Sequence, residues 1–116
     1  MTDLIACLTT GKGTWIEVLK VINSEEWEHI FLITNNFGKE KFKHDKAELI
    51  VINDSTITNM SKQIYENLKS KIKFNDVAVN LISGTGKEHM ALITAVLKLG
   101  VGVRFVTEEN GKVKEI

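Results

Sequence analysis

Residues 77–100 read VAVNLISGTGKEHMALITAVLKLG. The run from Val77 to Ile82 is almost entirely apolar, which is typical of a strand buried on both faces. A turn with two glycines follows from Ser83 to Lys87. Apolar residues then recur at helical spacing until Gly100, a residue that ends helices. The stretch therefore predicts a strand, a tight turn and a helix, which is the repeating unit of a parallel sheet.

The same unit opens the chain. Leu4 to Leu8 is a short apolar run, and a glycine-bearing loop separates it from an amphipathic stretch that begins at Thr14. We expect Thr14 to cap this helix, because Glu17 stands three residues later and completes a capping-box pattern.

Further apolar runs predict the remaining strands of one sheet, and another amphipathic stretch predicts a long helix from Ile57 to Ile72. The runs are His29 to Thr34, Leu49 to Ile52 and Val101 to Thr107, and Lys112 to Ile116 is expected to return as a short last strand. Asn110-Gly111 between the last two predicts a hairpin, and the charged segment from Lys39 to Lys46 predicts a solvated loop. The chain is thus expected to be one α/β domain over residues 1–116. It should hold a Rossmann-like, mostly parallel sheet of about six strands, flanked by three helices and ending in an antiparallel hairpin.

Composition limits the partners of this domain. Fifteen basic and fifteen acidic side chains leave no net charge, which disfavours binding to duplex nucleic acid. The N-terminal sequence resembles neither a signal peptide nor a membrane span, so we expect a cytoplasmic protein with no membrane partner. Cys7 is the only cysteine, which rules out an intrachain disulfide and favours an inert core thiol. The histidines lack metal-ligand spacing, so no metal or cofactor is predicted.

Two loops carry the residues from which a ligand site would be built. Each places glycines, hydroxyls and a lysine between a strand and a helix N-terminus, where free N–H groups favour an anion. Because ligands bind beyond the carboxyl ends of parallel strands, we interpret both loops as a phosphate or nucleotide cradle. The alternative is that the glycines and hydroxyls only turn and cap the chain. The candidate ligand-binding residues are Thr9, Thr10, Gly11, Lys12, Gly13, Thr14, Asn35, Asn36, Ser83, Gly84, Thr85, Gly86, Lys87, His89 and Met90.

Neither loop matches a standard nucleotide-binding motif. A Walker A loop needs a glycine where Leu81 stands and Ser or Thr where Glu88 stands. The dinucleotide fingerprint fails at Ile16. Outside the loops, Asn35 and Asn36 end a strand and either read a base or form a turn. Trp15 either packs in the core or stacks on a base.

The run Asn80 to Met90 resembles the CARF domains, the CRISPR-associated Rossmann-like sensors of cyclic oligoadenylates in antiviral defence. Those domains often show an Asn, a Ser or Thr, a Gly/Thr-rich turn, a Lys and a Met that enters the next helix. Here Asn80, Ser83, Lys87 and Met90 occupy such places, although the spacing is longer and the glycine order is changed. The resemblance implies a free-standing domain whose two copies surround a cyclic ligand.

Three functions remain open at this point. The chain is a homodimeric sensor or sink for cyclic oligoadenylate, a metal-independent ring nuclease, or a mononucleotide- or partner-binding domain unrelated to CRISPR. In the nuclease, a ribose 2′-hydroxyl attacks the adjacent phosphate, and the protein aligns the groups and stabilises charge. The candidate catalytic residues are Lys87 for charge, with Thr10 or Ser83 to position the phosphate.

Overall fold

The computed structural model describes residues 2–9 and 11–116, with the side chain of Lys12 outside that description. These residues form six strands and four helices. The elements are β1 (Asp3–Leu8), α1 (Lys12–Asn23), β2 (Ile30–Thr34), α2 (Asn36–Lys41), β3 (Ala47–Val51), α3 (Ile57–Leu68), β4 (Asp76–Asn80), α4 (Gly86–Lys98), β5 (Gly102–Glu109) and β6 (Lys112–Glu115). Within this part of the chain, no helix combines the length and the apolar character that crossing a membrane requires.

The strands form one sheet in the order β3-β2-β1-β4-β5-β6. The first five are parallel, and β6 pairs antiparallel with β5. This confirms the predicted α/β fold with its Rossmann-like sheet and C-terminal hairpin. The chain leaves β1 towards β2 on one side and later returns to β4 on the other. The order therefore reverses between β1 and β4, and the loops that follow these two strands meet at that point.

Helices cover both faces of the sheet, because the central strand β1 is apolar on both sides. Ile5 and Cys7 face a cluster formed with α3 and α4. Leu4, Ala6 and Leu8 face a second cluster, to which α1 contributes. Leu4 to Leu8 are all buried, as this apolar run predicts, and Asp3, the first residue of β1, is buried with them.

The hairpin is also as predicted. Asn110 and Gly111 have φ values of 55° and 80°, which is the left-handed conformation that a two-residue type I′ turn requires. Its strands pair Glu109 with Lys112. The hairpin thus extends the parallel sheet by one antiparallel edge strand.

Three local predictions are wrong. The helix predicted from Ile57 to Ile72 ends at Leu68, with Lys69 as its C-cap. The predicted loop from Lys39 to Lys46 begins inside a helix, because α2 continues to Lys41. The Asn35 side chain caps this helix by accepting a hydrogen bond from Gly38 N at 2.9 Å. Thr14 does not cap α1, since that helix begins at Lys12 and follows Gly11 with no side-chain cap.

We expect Gly38→Ala to lower the free energy of unfolding by about 1–3 kcal/mol, the usual cost of overpacking. A Cβ at Gly38 would lie 1.9 Å from Thr34 Oγ1. That hydroxyl cannot move freely, because it donates to the Leu8 carbonyl at 2.5 Å. Urea unfolding followed by circular dichroism measures the change.

The matched control is Gly13→Ala, a helical glycine whose added Cβ would meet no atom within 4 Å. Alanine is favoured over glycine inside helices by about 0.5–1 kcal/mol, so this variant should be as stable as the parent or more so. Equal unfolding midpoints for the two variants would contradict the packing argument.

Candidate functional site

The loops after β1 and β4 are joined directly by the Ser83 hydroxyl. Thr9 N donates to Ser83 Oγ at 3.1 Å, and Thr14 Oγ1 donates to it at 2.9 Å. Ser83 itself is fully buried. The two glycine-bearing loops, which are 69 or more residues apart in sequence at these bonds, therefore form one surface at the carboxyl edge of the sheet.

A carboxylate makes the second connection between the loops. Glu88 Oε1 accepts from Thr9 Oγ1 at 2.6 Å and from Thr85 N at 2.8 Å. Thr85 Oγ1 in turn accepts from Glu88 N, which completes a capping box at the start of α4. The negative charge of Glu88 also complements the positive end of the helix dipole.

Hydrogen bonds of Asn80 and His89 fix the backbone of the β4–α4 loop. Asn80 is buried, donates to the Val106 carbonyl at 2.9 Å and accepts from Ile82 N at 3.2 Å. His89 Nε2 lies 2.8 Å from the Ser83 carbonyl, and because a carbonyl only accepts, this ring nitrogen is the donor. These hydrogen bonds hold the loop at both ends without any contribution from a ligand.

Gly84 is required by this geometry. Its φ is +110°, and a Cβ there would lie 2.9 Å from His89 Nε2 and 3.1 Å from Cys7 Cβ. Only glycine adopts such a backbone readily. The loop therefore rests directly on the end of β1 and on the ring of His89.

Lys87 is the exposed cation of the site among the side chains that the structure describes. Its Nζ lies 2.9 Å from Asp54 Oδ1, in the loop after β3. The Asp54 side chain is 89% exposed, so water screens this pair and its contribution to stability is small. An anionic ligand would therefore compete easily with Asp54 for Lys87.

The predicted residues divide by position. Thr9, Thr14, Ser83, Gly84 and Thr85 meet at the junction of the two loops, where Glu88, which was not predicted, joins them. Met90 is 56% exposed and lies one helical turn into α4. Thr10 and the side chain of Lys12 lie outside the described residues, so their predicted roles stay predictions. The structure assigns no catalytic role to Ser83 or Lys87, and these also stay predictions.

Asn35 and Asn36 follow β2 at the same edge. Asn35 Oδ1 is engaged as the cap of α2, which agrees with a turn-forming role. Its amide nitrogen has no hydrogen-bond partner among the described residues. The turn-forming role therefore leaves the amide nitrogen of Asn35 available as a donor. Contact with a base stays a prediction.

Trp15 and Cys7 belong to the core. Trp15 is 7% exposed and packs edge-on against Phe42. Burial, with a smaller effect of the Glu88 carboxylate, raises the pKa of the Cys7 thiol to about 12. Cys7 is therefore protonated near neutral pH and is the inert core thiol that the sequence predicts. In the part of the chain that is described, no three His, Cys, Asp or Glu side chains are grouped to hold a metal ion.

Sequence reasoning missed the two carboxylates of the site. Glu88 had a readable signal, because Thr85-Gly86-Lys87-Glu88 matches the pattern of a capping box. Asp54 had none, since its pairing with Lys87 joins residues 33 apart and depends on the strand order. Comparison with protein-family models and with curated proteins finds no match for this chain.

We expect Ser83→Ala to weaken the junction of the two loops and to lower the free energy of unfolding by about 1–3 kcal/mol, the cost of a buried donor without its partner. The Thr9 amide loses its acceptor and should exchange its hydrogen faster with solvent. Hydrogen exchange followed by NMR measures this directly.

Ser70→Ala serves as the control, because Ser70 is exposed in the turn after α3. A change there should stay within about 0.5 kcal/mol and leave the Thr9 amide unaffected. An unchanged Thr9 exchange rate in Ser83→Ala would show that this bond does not hold the loops together.

Proposed function

We propose that the chain binds a cyclic oligoadenylate, or a related small nucleotide, as a homodimeric, CRISPR-linked sensor or sink. The observation that carries this proposal is the meeting of two glycine-bearing loops where the strand order reverses. Ligands of open parallel sheets bind at that point. Ser83 and Glu88 join the two loops there, so one ligand contacts both.

The phosphates of the ligand contact the start of α4. The backbone N–H groups of Gly86 and Lys87 have no hydrogen-bond partner among the described residues, whereas Glu88 already uses the Thr85 N–H. The ammonium of Lys87 adds a formal charge beside these N–H groups. A phosphate that binds there replaces Asp54 as the partner of Lys87.

An exposed apolar surface beside this site supports the homodimer. The α4–β5 face consists of large hydrophobic side chains that are 37–86% exposed, namely Ile82, Met90, Leu97, Phe105 and Ile116. Between them lies an apolar groove of about 140 Å³ lined by Val79, Ile93, Val96, Leu97, Val103 and Phe105. The same face on a second copy is self-complementary in chemistry, as a two-fold interface requires.

The position of the α4–β5 face next to the ligand site also supports the dimer. Ile82 precedes Ser83, and Met90 lies in the first turns of α4, so the face borders the loops on both sides. A two-fold axis through this face brings the loops of both copies around one ligand. A cyclic nucleotide with the same symmetry then meets two equivalent sets of N–H groups and lysines.

A ring nuclease is the second candidate, favoured by the exposed Lys87 ammonium beside the loop hydroxyls. In that reaction the 2′-oxygen of a ribose bonds to the adjacent phosphorus as the bond to the 5′-oxygen breaks. The products are a 2′,3′-cyclic phosphate and a 5′-hydroxyl, and the proton of the 2′-hydroxyl passes to the leaving oxygen. Lys87 would stabilise the charge that develops on the phosphate.

The test of the function is incubation of the protein with labelled cyclic tetra-adenylate in EDTA, with measurement of retention and product length. Retention of the intact ring supports a sensor or sink, and linear product supports a nuclease. Lys87→Ala should weaken binding by about tenfold or more, because a hydrogen bond to a charged group contributes about 1.5–3 kcal/mol.

Lys98→Ala is the matched control, since Lys98 is the last residue of the same helix and lies far from its start. It should bind like the parent protein. Absence of binding at micromolar protein contradicts the cyclic oligoadenylate proposal and leaves the mononucleotide- or partner-binding domain. Full-rate cleavage by Lys87→Ala would remove Lys87 from the reaction.

We expect Leu97→Lys to produce monomers, because Leu97 is 61% exposed at the centre of the α4–β5 face and a lysine there opposes apolar contact. Sedimentation velocity with and without the ligand measures the state. Ile16→Lys is the control, as Ile16 is 59% exposed on α1, which covers the opposite face of the sheet. A parent protein that stays monomeric with ligand present contradicts the shared site.

A further inference from the structure

A cleft of about 430 Å³ lies beside the two loops, between the end of β3 and the start of α4. Its volume falls within the range of about 300–1,000 Å³ that is typical of small-molecule sites. The lining residues are Asn35, Ile52, Asp54, Met60, Thr85, Lys87 and Glu88. Four of them, Ile52, Asp54, Met60 and Glu88, are absent from the set that the sequence predicts.

The cleft has an apolar floor and a polar rim. Ile52 and Met60 are 5% and 2% exposed and form the floor. Polar groups from three different elements surround it. An apolar floor with a few placed polar groups is the usual composition of a site for a flat organic molecule.

The charges of the rim indicate which part of a nucleotide fits. Asp54 and Glu88 are carboxylates and Lys87 is the one cation among the lining residues, so the lining carries a net negative charge. Glu88 is engaged by Thr9 and Thr85, whereas the second oxygen of Asp54 has no partner among the described residues. The rim therefore favours a phosphate only beside Lys87, while ligand N–H and O–H groups find an acceptor at Asp54.

The Asn35 amide supplies a hydrogen-bond donor at the cleft, where Asp54 supplies an acceptor. Its Oδ1 is fixed by Gly38 N at 2.9 Å, which also fixes the plane of the amide. Its nitrogen is therefore a positioned donor at the cleft. A molecule that presents apolar faces, N–H or O–H donors and an acceptor at its edge matches this set of groups, and a nucleoside has all of these.

We infer that this cleft holds the nucleoside part, base and ribose, of a nucleotide whose phosphates lie at the start of α4. The base rests over Ile52 and Met60, a ligand N–H or O–H donates to Asp54, and Asn35 donates to an acceptor of the base. This inference rests on the proposed function and assigns the part of the ligand that the loops do not hold.

The test uses methyl-labelled protein and two probes, adenosine monophosphate and ribose 5-phosphate, followed by NMR. Both probes carry the phosphate, and only the first carries the base. We expect both to shift the Gly86 and Lys87 amides, and only adenosine monophosphate to shift the Met60 and Ile52 methyls through the ring current of the base. The methyl of Ile16, on the other side of the sheet, should not respond.

A substitution tests the same inference through the binding affinities of two ligands. Asp54→Asn should reduce the preference for adenosine monophosphate over inorganic phosphate by about threefold or more, since this preference isolates the nucleoside part, base and ribose. Asp45→Asn, an exposed aspartate outside the cleft, should leave the preference unchanged.

The outcomes separate the two proposals. Amide shifts at Gly86 and Lys87 without any change at Met60 would overturn the nucleoside cleft and leave the proposed function intact. Methyl shifts at Ile52 and Met60 together with a reduced preference in Asp54→Asn would support the cleft. No shift with adenosine monophosphate and no binding of cyclic tetra-adenylate would overturn both proposals.

Discussion

The structure depends on the burial of β1 between β2 and β4. Every backbone polar group of a strand buried on both faces needs a partner, and parallel pairing on both edges provides it. Ala6 pairs with Leu32 on one side and with Asn80 on the other, so the ends of three strands come to one edge. The junction of the two glycine-bearing loops follows from this arrangement, because each loop leaves a strand that is paired to β1 or is β1 itself.

The sequence was most informative where one physical requirement dominates. Continuous apolar runs predicted the buried strands, and Asn110-Gly111 predicted the hairpin because few residues adopt its backbone. The sequence was least informative where contacts between distant residues determine the local structure. The short helix α2 contains a glycine and three charged residues within six positions, so its local pattern resembles a loop. Its distant contacts are with β1 and α1: a Cβ at Gly38 would lie 3.2 Å from the Leu8 carbonyl, and Phe42, which follows the helix, packs edge-on against Trp15.

The candidate site shows the same division. Glycines, hydroxyls and a lysine at two strand ends could be recognised as a group, because topology rules place such ends at one edge. The partners of these residues could not. Thr9 and Glu88 are 79 residues apart, and their hydrogen bond depends on how far each loop extends beyond its strand. The sequence predicted that Ser83 positions a phosphate and gave no sign that its hydroxyl is buried as the link between the loops.

The charged end of the sheet has a consequence for how copies of this chain meet. The last strand, β6, is four residues long, and its Lys112 and Lys114 are exposed along an edge with no further strand in the described sheet. Like charges on such an edge oppose strand-by-strand addition, the route by which sheets grow into fibres. At this edge, the backbone hydrogen-bonding groups of β6 are thereby kept from pairing with a strand of another molecule.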